Sequence, residues 1–398
     1  MKLVYQLIQE TPMIHFQADD PNVTLRASEV KPKLDKFLAE WCKRYKGIDI
    51  LTEHEDWKVS EKHNSLDYRM TIRSLTKPKV SYPPDPQKDK MGLYFGNMGN
   101  DTEKRKIIFV EGEIELTILC FHKELSKIIQ DSLPLFFLLH NFGTRQDKGF
   151  GGYVLKDSVK NAERLLVDWY KHENKSIYML DCASSIKSQN KIEAFRNIDV
   201  IYKVLKSGIN ESFRRRNNSS AKYCYVKSYL TKYFLNKGIG GEKRYMKEQE
   251  IGPNKITCGK TENNPVTKYR YIRGLLGVTD GQEWQEKHSG TRDIKIDAVN
   301  SDIMRMASPI VFKLAGKVLF ILVNEPNPDI YGQEFKFSSK MGEGTLKVPL
   351  REEFDMDEMF SEFVEYINSK EIRDKLQLLM TRPKFVSENR LIIKRGGN

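Results

Sequence analysis

Apolar and polar positions alternate from Leu3 to Gln9, the pattern of a half-buried strand. The period then changes. Leu34, Phe37, Leu38, Trp41 and Cys42 recur at helical spacing between Pro32 and Lys46, and Pro32 suits a first helical turn. From Leu66 to Leu75 the series Tyr68, Met70, Ile72 is strand-like again, and Ile107 to Cys120 is β-branched and alternating, as expected of a long strand. Lys123 to Asn141 reads as a helix in which Pro134 starts a second piece, and Tyr153-Val154-Leu155 as a short closing strand.

That order, β-α-β-β-α-β, is the ferredoxin-like arrangement, and the rest of the chain repeats it loosely. Ser176 to Asp181 reads as a strand, and Ile192 to Leu205 as an amphipathic helix through Phe195, Ile198, Ile201, Tyr202 and Leu205. Ser308 to Val323 reads as a hairpin turning at Gly316, Phe354 to Met380 as helix, and Leu391-Ile392-Ile393 as a last strand. Between them, Ser212 to Glu250 reads as a basic, helical insertion, and Gly252 to Gly290 as polar, glycine-rich loop. Thr76 to Asn100, with Tyr82-Pro83-Pro84-Asp85-Pro86, reads as an exposed loop. The expected fold class is α+β: two tandem ferredoxin-like domains packed together, residues 1–170 and 171–398, with irregular insertions at 76–100 and 212–290.

Composition narrows the function. With 398 residues, 39% apolar and 30% charged, the chain has the size and balance of a folded two-domain protein. Its longest apolar run, Leu133 to Leu139, falls well short of the ~18 residues of a membrane span. Met1-Lys2-Leu3-Val4-Tyr5 has no signal-peptide character, so a cytoplasmic protein without a membrane partner is expected. The net charge of +12 attracts polyanions. The cations lie in strands and loops rather than along one helix face, which favours nucleic acid over a lipid surface. Five cysteines (Cys42, Cys120, Cys182, Cys224, Cys258) form no C-x-x-C pair, and the seven histidines show no metal-ligand spacing. Reduced thiols, no metal and no cofactor are expected.

The segment richest in chemistry is Asn141-Phe142-Gly143-Thr144-Arg145-Gln146-Asp147-Lys148-Gly149-Phe150-Gly151-Gly152-Tyr153. Glycines let backbone amides approach a phosphate, Arg145 and Lys148 supply charge, and Phe142, Phe150 and Tyr153 supply rings that stack on bases or fill a core. It is not a nucleotide P-loop, because no G-K-[ST] follows. A tight helix-to-strand turn with solvated charges accounts for the same residues.

Gly143-Thr144-Arg145 followed by Gly149-Phe150-Gly151 resembles the glycine-rich loop of RAMP proteins, RNA-binding subunits of CRISPR effectors. Thr11-Pro12 with Thr24-Leu25-Arg26-Ala27-Ser28-Glu29-Val30-Lys31 resembles the RAMP first strand, loop and entry to the first helix. Arg305-Met306-Ala307-Ser308-Pro309-Ile310 resembles an arginine-x-x-serine-proline element in the second half of some members. The positions fit a double-RAMP subunit of a type III interference complex, similar to the large end-capping subunit of the type III-B Cmr complex. The resemblance implies a non-catalytic protein that holds guide RNA, and the guide-target duplex, beside other effector subunits. It would leave sequence recognition to base pairing. The RNA-binding residues it implies are Arg26, Lys31, Gly143, Arg145, Lys148, Gly149, Phe150, Gly151 and Arg305. Gln146 and Asp147 interrupt the basic run usual in the family loop, and Lys31-Pro32-Lys33-Leu34 departs from the usual glycine-leucine-arginine helix start.

Further segments interleave cations and rings: Phe213-Arg214-Arg215-Arg216-Asn217-Asn218, Lys222-Tyr223-Cys224-Tyr225-Val226-Lys227 and Lys268-Tyr269-Arg270-Tyr271-Ile272-Arg273-Gly274. In an extended strand, Lys268, Arg270 and Ile272 face one way and Tyr269, Tyr271 and Arg273 the other. Arg214, Arg215, Arg216, Arg270 and Arg273 therefore join the RNA-binding candidates, with an ordinary solvated face as the alternative. Some RAMP proteins cut RNA. Their backbone subunits use an aspartate in a loop after the first strand, where Asp19 and Asp20 stand here. The transcript-processing RAMP endoribonucleases use an early histidine, for which His15 and His54 are candidates, but they carry the glycine-rich loop near the C-terminus. A general single-stranded RNA binder is the third class.

Overall fold

The computed structural model describes residues 1–14, 24–60, 63–81, 107–183, 186, 191, 193–214, 221–251, 265–286, 290–299, 303–340, 342–380 and 391–397. A first sheet contains β1 (Lys2–Gln9), β2 (Tyr68–Ser74), β3 (Ile114–Cys120) and β4 (Tyr153–Leu155) in the order β2-β3-β1-β4. Every neighbouring pair is antiparallel. Helix α1 (Ala27–Lys46) lies between β1 and β2 in the chain, and α2 (Lys123–Leu139) between β3 and β4. Alternation builds the strands: Ile114, Leu116, Ile118 and Cys120 of β3 are buried, with half-buried residues between them. In α1, Val30, Leu34, Phe37, Leu38 and Cys42 form the buried stripe, and Gly47, left-handed at φ 68°, ends the helix.

The second sheet has β5 (Tyr178–Asp181), β6 (Ile310–Ala315), β7 (Val318–Val323) and β8 (Lys394–Arg395) in the order β6-β7-β5-β8, again antiparallel throughout. The spatial order of the first sheet is thus repeated. Helix α3 (Ala194–Tyr202) follows β5, and α4 (Met356–Asn368) follows β7. The class is α+β.

The halves interlock. In β7, Leu319, Ile321 and Val323 belong to the core of the second half, while Phe320 and Leu322 enter the core of the first. Phe150 crosses the other way and stacks on Phe195 of α3 at 4.1 Å. Burial on both faces explains why β7 is an unbroken apolar run.

The structure corrects several sequence expectations. Helix α1 begins at Ala27, so Pro32 lies inside it, and Pro134 lies inside a single α2. A helical proline costs about 3 kcal/mol, but burial of Leu133, Leu135, Phe136 and Phe137 around Pro134, at about 1.5–3 kcal/mol each, outweighs it. The second insertion, read as helical to Glu250 and as loop beyond, holds helices but also strands. Ile209–Arg214 and Ala221–Val226 form a hairpin, and helices Tyr229–Asn236 and Glu242–Ile251 follow. Gly281–Glu286, Gly290–Ala298, Glu334–Ser339 and Gly342–Lys347 form a third four-stranded sheet. The helix expected to run from Phe354 breaks between Asn368 and Lys370, and the last strand pairs through Lys394–Arg395 rather than 391–393. Cys42, Cys120, Cys182 and Cys224 are buried thiols outside any disulfide among the described residues. Residues 82–100 lie outside the described residues.

Candidate nucleic-acid interface

The glycine-rich loop leaves α2 and returns as β4. Its amides close it on itself and on the residues after β1: Phe142 N donates to Gly151 O (2.9 Å), Gly151 N to Pro12 O (2.8 Å) and Thr144 N to Ile14 O (2.9 Å). Thr11 Oγ1 donates to Gly149 O at 2.6 Å and accepts from Gly152 N at 2.8 Å. Gly151 has φ +68°, and a Cβ there would stand 1.8 Å from the Phe142 carbonyl oxygen, so only glycine fits. Gly149, at φ +84°, is pressed between Ile198 of α3 and Phe312 of β6. Arg145 is also left-handed, at φ 59°, and half-buried.

On its inner side the loop covers an edge. Strand β6 is the outer strand of the second sheet, and Asn141 Nδ2 donates to Phe312 O at 2.9 Å and to Gln146 O at 2.7 Å. An edge covered this way cannot template further pairing. Lys313, 0% exposed, donates to His140 O (2.8 Å), Asn141 Oδ1 (3.1 Å) and Tyr153 O (3.0 Å). Burial pushes its ammonium down to about 7, against an opposing pull from Glu10. Glu10, also buried, pairs with Lys191 and accepts from Gly316 N at 3.1 Å. Lys33 of α1 donates to Asn141 O at 3.0 Å, and burial lowers its pKa.

Two of the three segments that carry the RAMP resemblance meet at this junction, and the third leads into the strand beneath it. Glu29, in the first turn of α1, accepts from Gly143 N at 2.6 Å, tying the helix start to the loop. The Arg305–Ile310 segment runs into β6, whose Phe312 and Lys313 hold the loop from below. Arg26 occupies the N-cap position of α1 without a side-chain capping bond and is exposed.

Other candidates are occupied within the protein. Phe150 is 2% exposed, and Phe142 and Tyr153 are fully buried, so these rings pack and present no face to a base. Lys31 spends its three donors on Asp35 (2.8 Å), Ser65 (2.9 Å) and Leu66 O (2.8 Å). Lys148 pairs with Asp147 at 2.7 Å and sits 3.3 Å from the centre of the Tyr202 ring. Arg270 holds Glu353 through two bonds (3.0 and 3.1 Å), and Arg273 pairs with the buried Glu242. The strand expected from 268 to 273 ends at Arg270, where a 3-10 turn begins at Ile272, and Tyr271 is buried. Arg305 is largely exposed and pairs with Asp280 at 2.7 Å. Arg214 ends a hairpin strand. Arg215, Arg216, His15, Asp19 and Asp20 lie outside the described residues. His54 stacks on Trp57 at 3.8 Å.

Four residues at the junction were not singled out from sequence for their polar groups: Lys33, Tyr202, Lys206 and Lys313. After α3 the chain widens into a π-turn, Lys203–Ser207, which directs Lys206 to Leu276 O (2.9 Å) and Gly277 O (3.2 Å). Burial raises the Tyr202 pKa, but Lys206 and Lys148 more than offset it and hold the hydroxyl below its ordinary range. A lysine at an apolar register, such as Lys313 between Phe312 and Leu314, was the one signal in the sequence for such a residue. Among the described residues, no group of His, Cys, Asp or Glu side chains is placed to hold a metal ion, and no helix is long and apolar enough to cross a membrane.

No curated protein matches the sequence. The crystal structure of apo Cmr1 from Pyrococcus furiosus is similar at 11% identity and a TM-score of 0.41, over 82% of this chain and 88% of that one. A cryo-EM structure of the type III-B Cmr-beta complex bound to cognate target RNA contains a chain at 14% identity and a TM-score of 0.24, over 39% of this chain and 58% of that one. The model of the Cmr1 N-terminal domain matches residues 1–209, and that of the Cmr1 C-terminal domain residues 225–387. These two models take in both halves of the molecule, and the chain belongs to the Cmr1 family of RAMP-type CRISPR effector subunits.

Proposed function

We propose that the chain binds RNA without cutting it, at one end of a type III-B Cmr effector complex. It holds guide RNA, and the guide-target duplex, against the face formed by the glycine-rich loop and the start of α1. The observation that carries this reading is the 2.6 Å bond from Gly143 N to Glu29, which joins the two first-half segments that resemble RAMP elements. Arg26, Arg145 and Lys148 stand on those segments, with Arg305, Arg214, Arg215 and Arg216 as further cations along the chain. Cations on a rigid loop read the phosphate backbone and leave base identity to pairing. We read each half, 1–170 and 171–398, as a ferredoxin-like domain, a reading supported by the repeated strand order. The other Cmr subunits are the proposed protein partners.

Binding to single-stranded RNA should weaken steeply as salt rises, because each neutralised phosphate releases counterions. A dissociation constant that does not move across a salt series overturns the reading, as does failure to bind at low salt both alone and with partner subunits. Purified protein with magnesium or manganese should leave labelled repeat and target RNA intact. Cuts that vanish in Asp20→Ala or His15→Ala would place the chain among the RAMP nucleases instead.

A further inference from the structure

We infer that Lys313, on the edge strand of the second sheet, is a positioning residue that sets the shape of the glycine-rich loop from the other half of the chain. Its three donors meet three acceptors at both ends of that loop. His140 O and Asn141 Oδ1 stand where the loop leaves α2, and Tyr153 O where it enters β4. The loop closes at its neck through the Asn141–Gly152 bridge and the bond from Phe142 N to Gly151 O, with Asn141 Nδ2 bonded to Gln146 O, Gln146 Nε2 to Gly143 O, and a tight turn from Arg145 to Gly149 at its tip. Lys313 adds a tie between entry and exit that comes from the other half of the chain.

The placement is costly, which argues for a role. Lys313 is completely buried, and no carboxylate lies within ion-pair distance of it among the described residues. Burying a cation without a paired charge is unfavourable, and an apolar residue would fill the same space cheaply. An apolar residue would also leave three acceptors facing an unwetted core with no donor. The donors must come from β6, because the loop folds over that strand: Asn141 reaches Phe312 O, and Gly149 lies against Phe312. The loop's geometry therefore depends on the docking of the two halves. The inference rests on the proposal that this loop contacts RNA.

The test uses the full chain with Lys313→Met, which keeps length and removes all donors, and Lys313→Gln, which restores two. Hydrogen exchange is read at Phe142, Thr144, Gly149 and Gly151 and, as a reference, at β1 and β3. In Lys313→Met, loop protection should fall about tenfold or more while the reference strands stay near wild type. The dissociation constant for single-stranded RNA should rise about tenfold with an unchanged salt slope, because every phosphate-facing cation remains. Lys313→Gln should recover part of both. Unchanged loop protection overturns the inference, and so does an equal loss across loop and sheets. A loosened loop with wild-type affinity overturns the positioning role when Arg145→Ala/Lys148→Ala weakens binding. If that double variant also binds like wild type, it is the RNA reading of the loop that has failed. Should Lys313→Met not fold, Lys313→Gln, which keeps two donors and every bond within the loop, is read against wild type in the same way.

Discussion

Two segments of this chain, 141–153 and 268–274, look alike in sequence, each mixing glycine, cations and aromatic rings. The molecule uses them differently. In the second, each cation is answered by a carboxylate: Lys268 and Arg270 by Glu353, and Arg273 by Glu242. Burial alone would raise the Glu353 carboxyl, but bonds from Arg270 and Lys268 pull it down to about 2. In the first, Asp147 pairs with Lys148 and Glu29 accepts from Gly143 N, and further ties run from the Lys33 and Lys313 ammonium groups to carbonyls. A basic stretch thus becomes a polyanion site or an internal brace according to what faces it. The facing residues are distant in sequence.

The largest expected effect separates the loop's shape from its charge. Gly151→Val should destabilise the protein by about 3–5 kcal/mol in chemical denaturation, because a Cβ there would overlap the Phe142 carbonyl oxygen at positive φ. A stable Gly151→Val protein would mean the neck of the loop is open.

The next effect is a pH dependence. Lys313 is a base whose folded pKa is depressed to about 7 from 10.5, so between those values the unfolded chain binds a proton that the folded chain does not. Stability should therefore rise as pH rises from about 7 towards 10.5, at up to about 1.4 kcal/mol per pH unit, and level off below pH 7. The three carbonyl acceptors favour the charged form and narrow that window from its lower end. Glu10, Lys33, Lys191 and His140 face the same junction. Half-buried His140, depressed to about 4 chiefly by desolvation, adds a separate rise between pH 4 and 6.5. Urea midpoints across pH on wild type and Lys313→Met isolate the upper window, which the variant should lack.

Smaller effects distinguish the two segments directly. Arg270→Ala should cost about 1–3 kcal/mol of stability by removing two charge-assisted bonds from a carboxylate that is 7% exposed, and should leave RNA affinity unchanged. Arg145→Ala with Lys148→Ala should do the opposite, weakening RNA binding by about 1–3 kcal/mol. The change in stability should be smaller than in Arg270→Ala, about 1 kcal/mol, from the half-buried ion pair with Asp147 and the contact with the Tyr202 ring. Thermal melts and RNA titrations on both variants give the four values. A crossed pattern, with Arg270 governing affinity, would reverse the assignment of the two segments.

Much of the frame was legible in the chain. The helical stripe from Leu34 to Cys42 and the hairpin at Gly316 are local signals that appear where the pattern placed them, while the long strand expected over Ile107–Cys120 breaks into Ile107–Phe109 and Ile114–Cys120, which lie in different sheets. The third sheet was missed because its strands come from two stretches separated by β6 and β7, and Gly281–Glu286 is polar. In the candidate site, the glycine-rich loop was visible, but the destination of Phe150 was not. Its partner Phe195 lies in the other half, and a ring beside glycine reads equally as a stacking platform or a core residue. Lys313 was hidden for a similar reason: its acceptors are main-chain carbonyls and one amide from a loop far upstream, which leave no mark in side-chain composition.

Strand β7 carries a consequence for how such a chain comes off the ribosome. The first sheet has all its strands once β4 has been made, yet its core still lacks Phe320 and Leu322, and β5 waits for β7 before it can pair. For the whole interval between β4 and β7, apolar surface from both cores stays uncovered in water. Distant closures of this kind are slow, and the waiting intermediates aggregate. Yield during synthesis should therefore depend on the pace of translation through residues 156–323 and on holdase chaperones, more than on the stability of the finished protein.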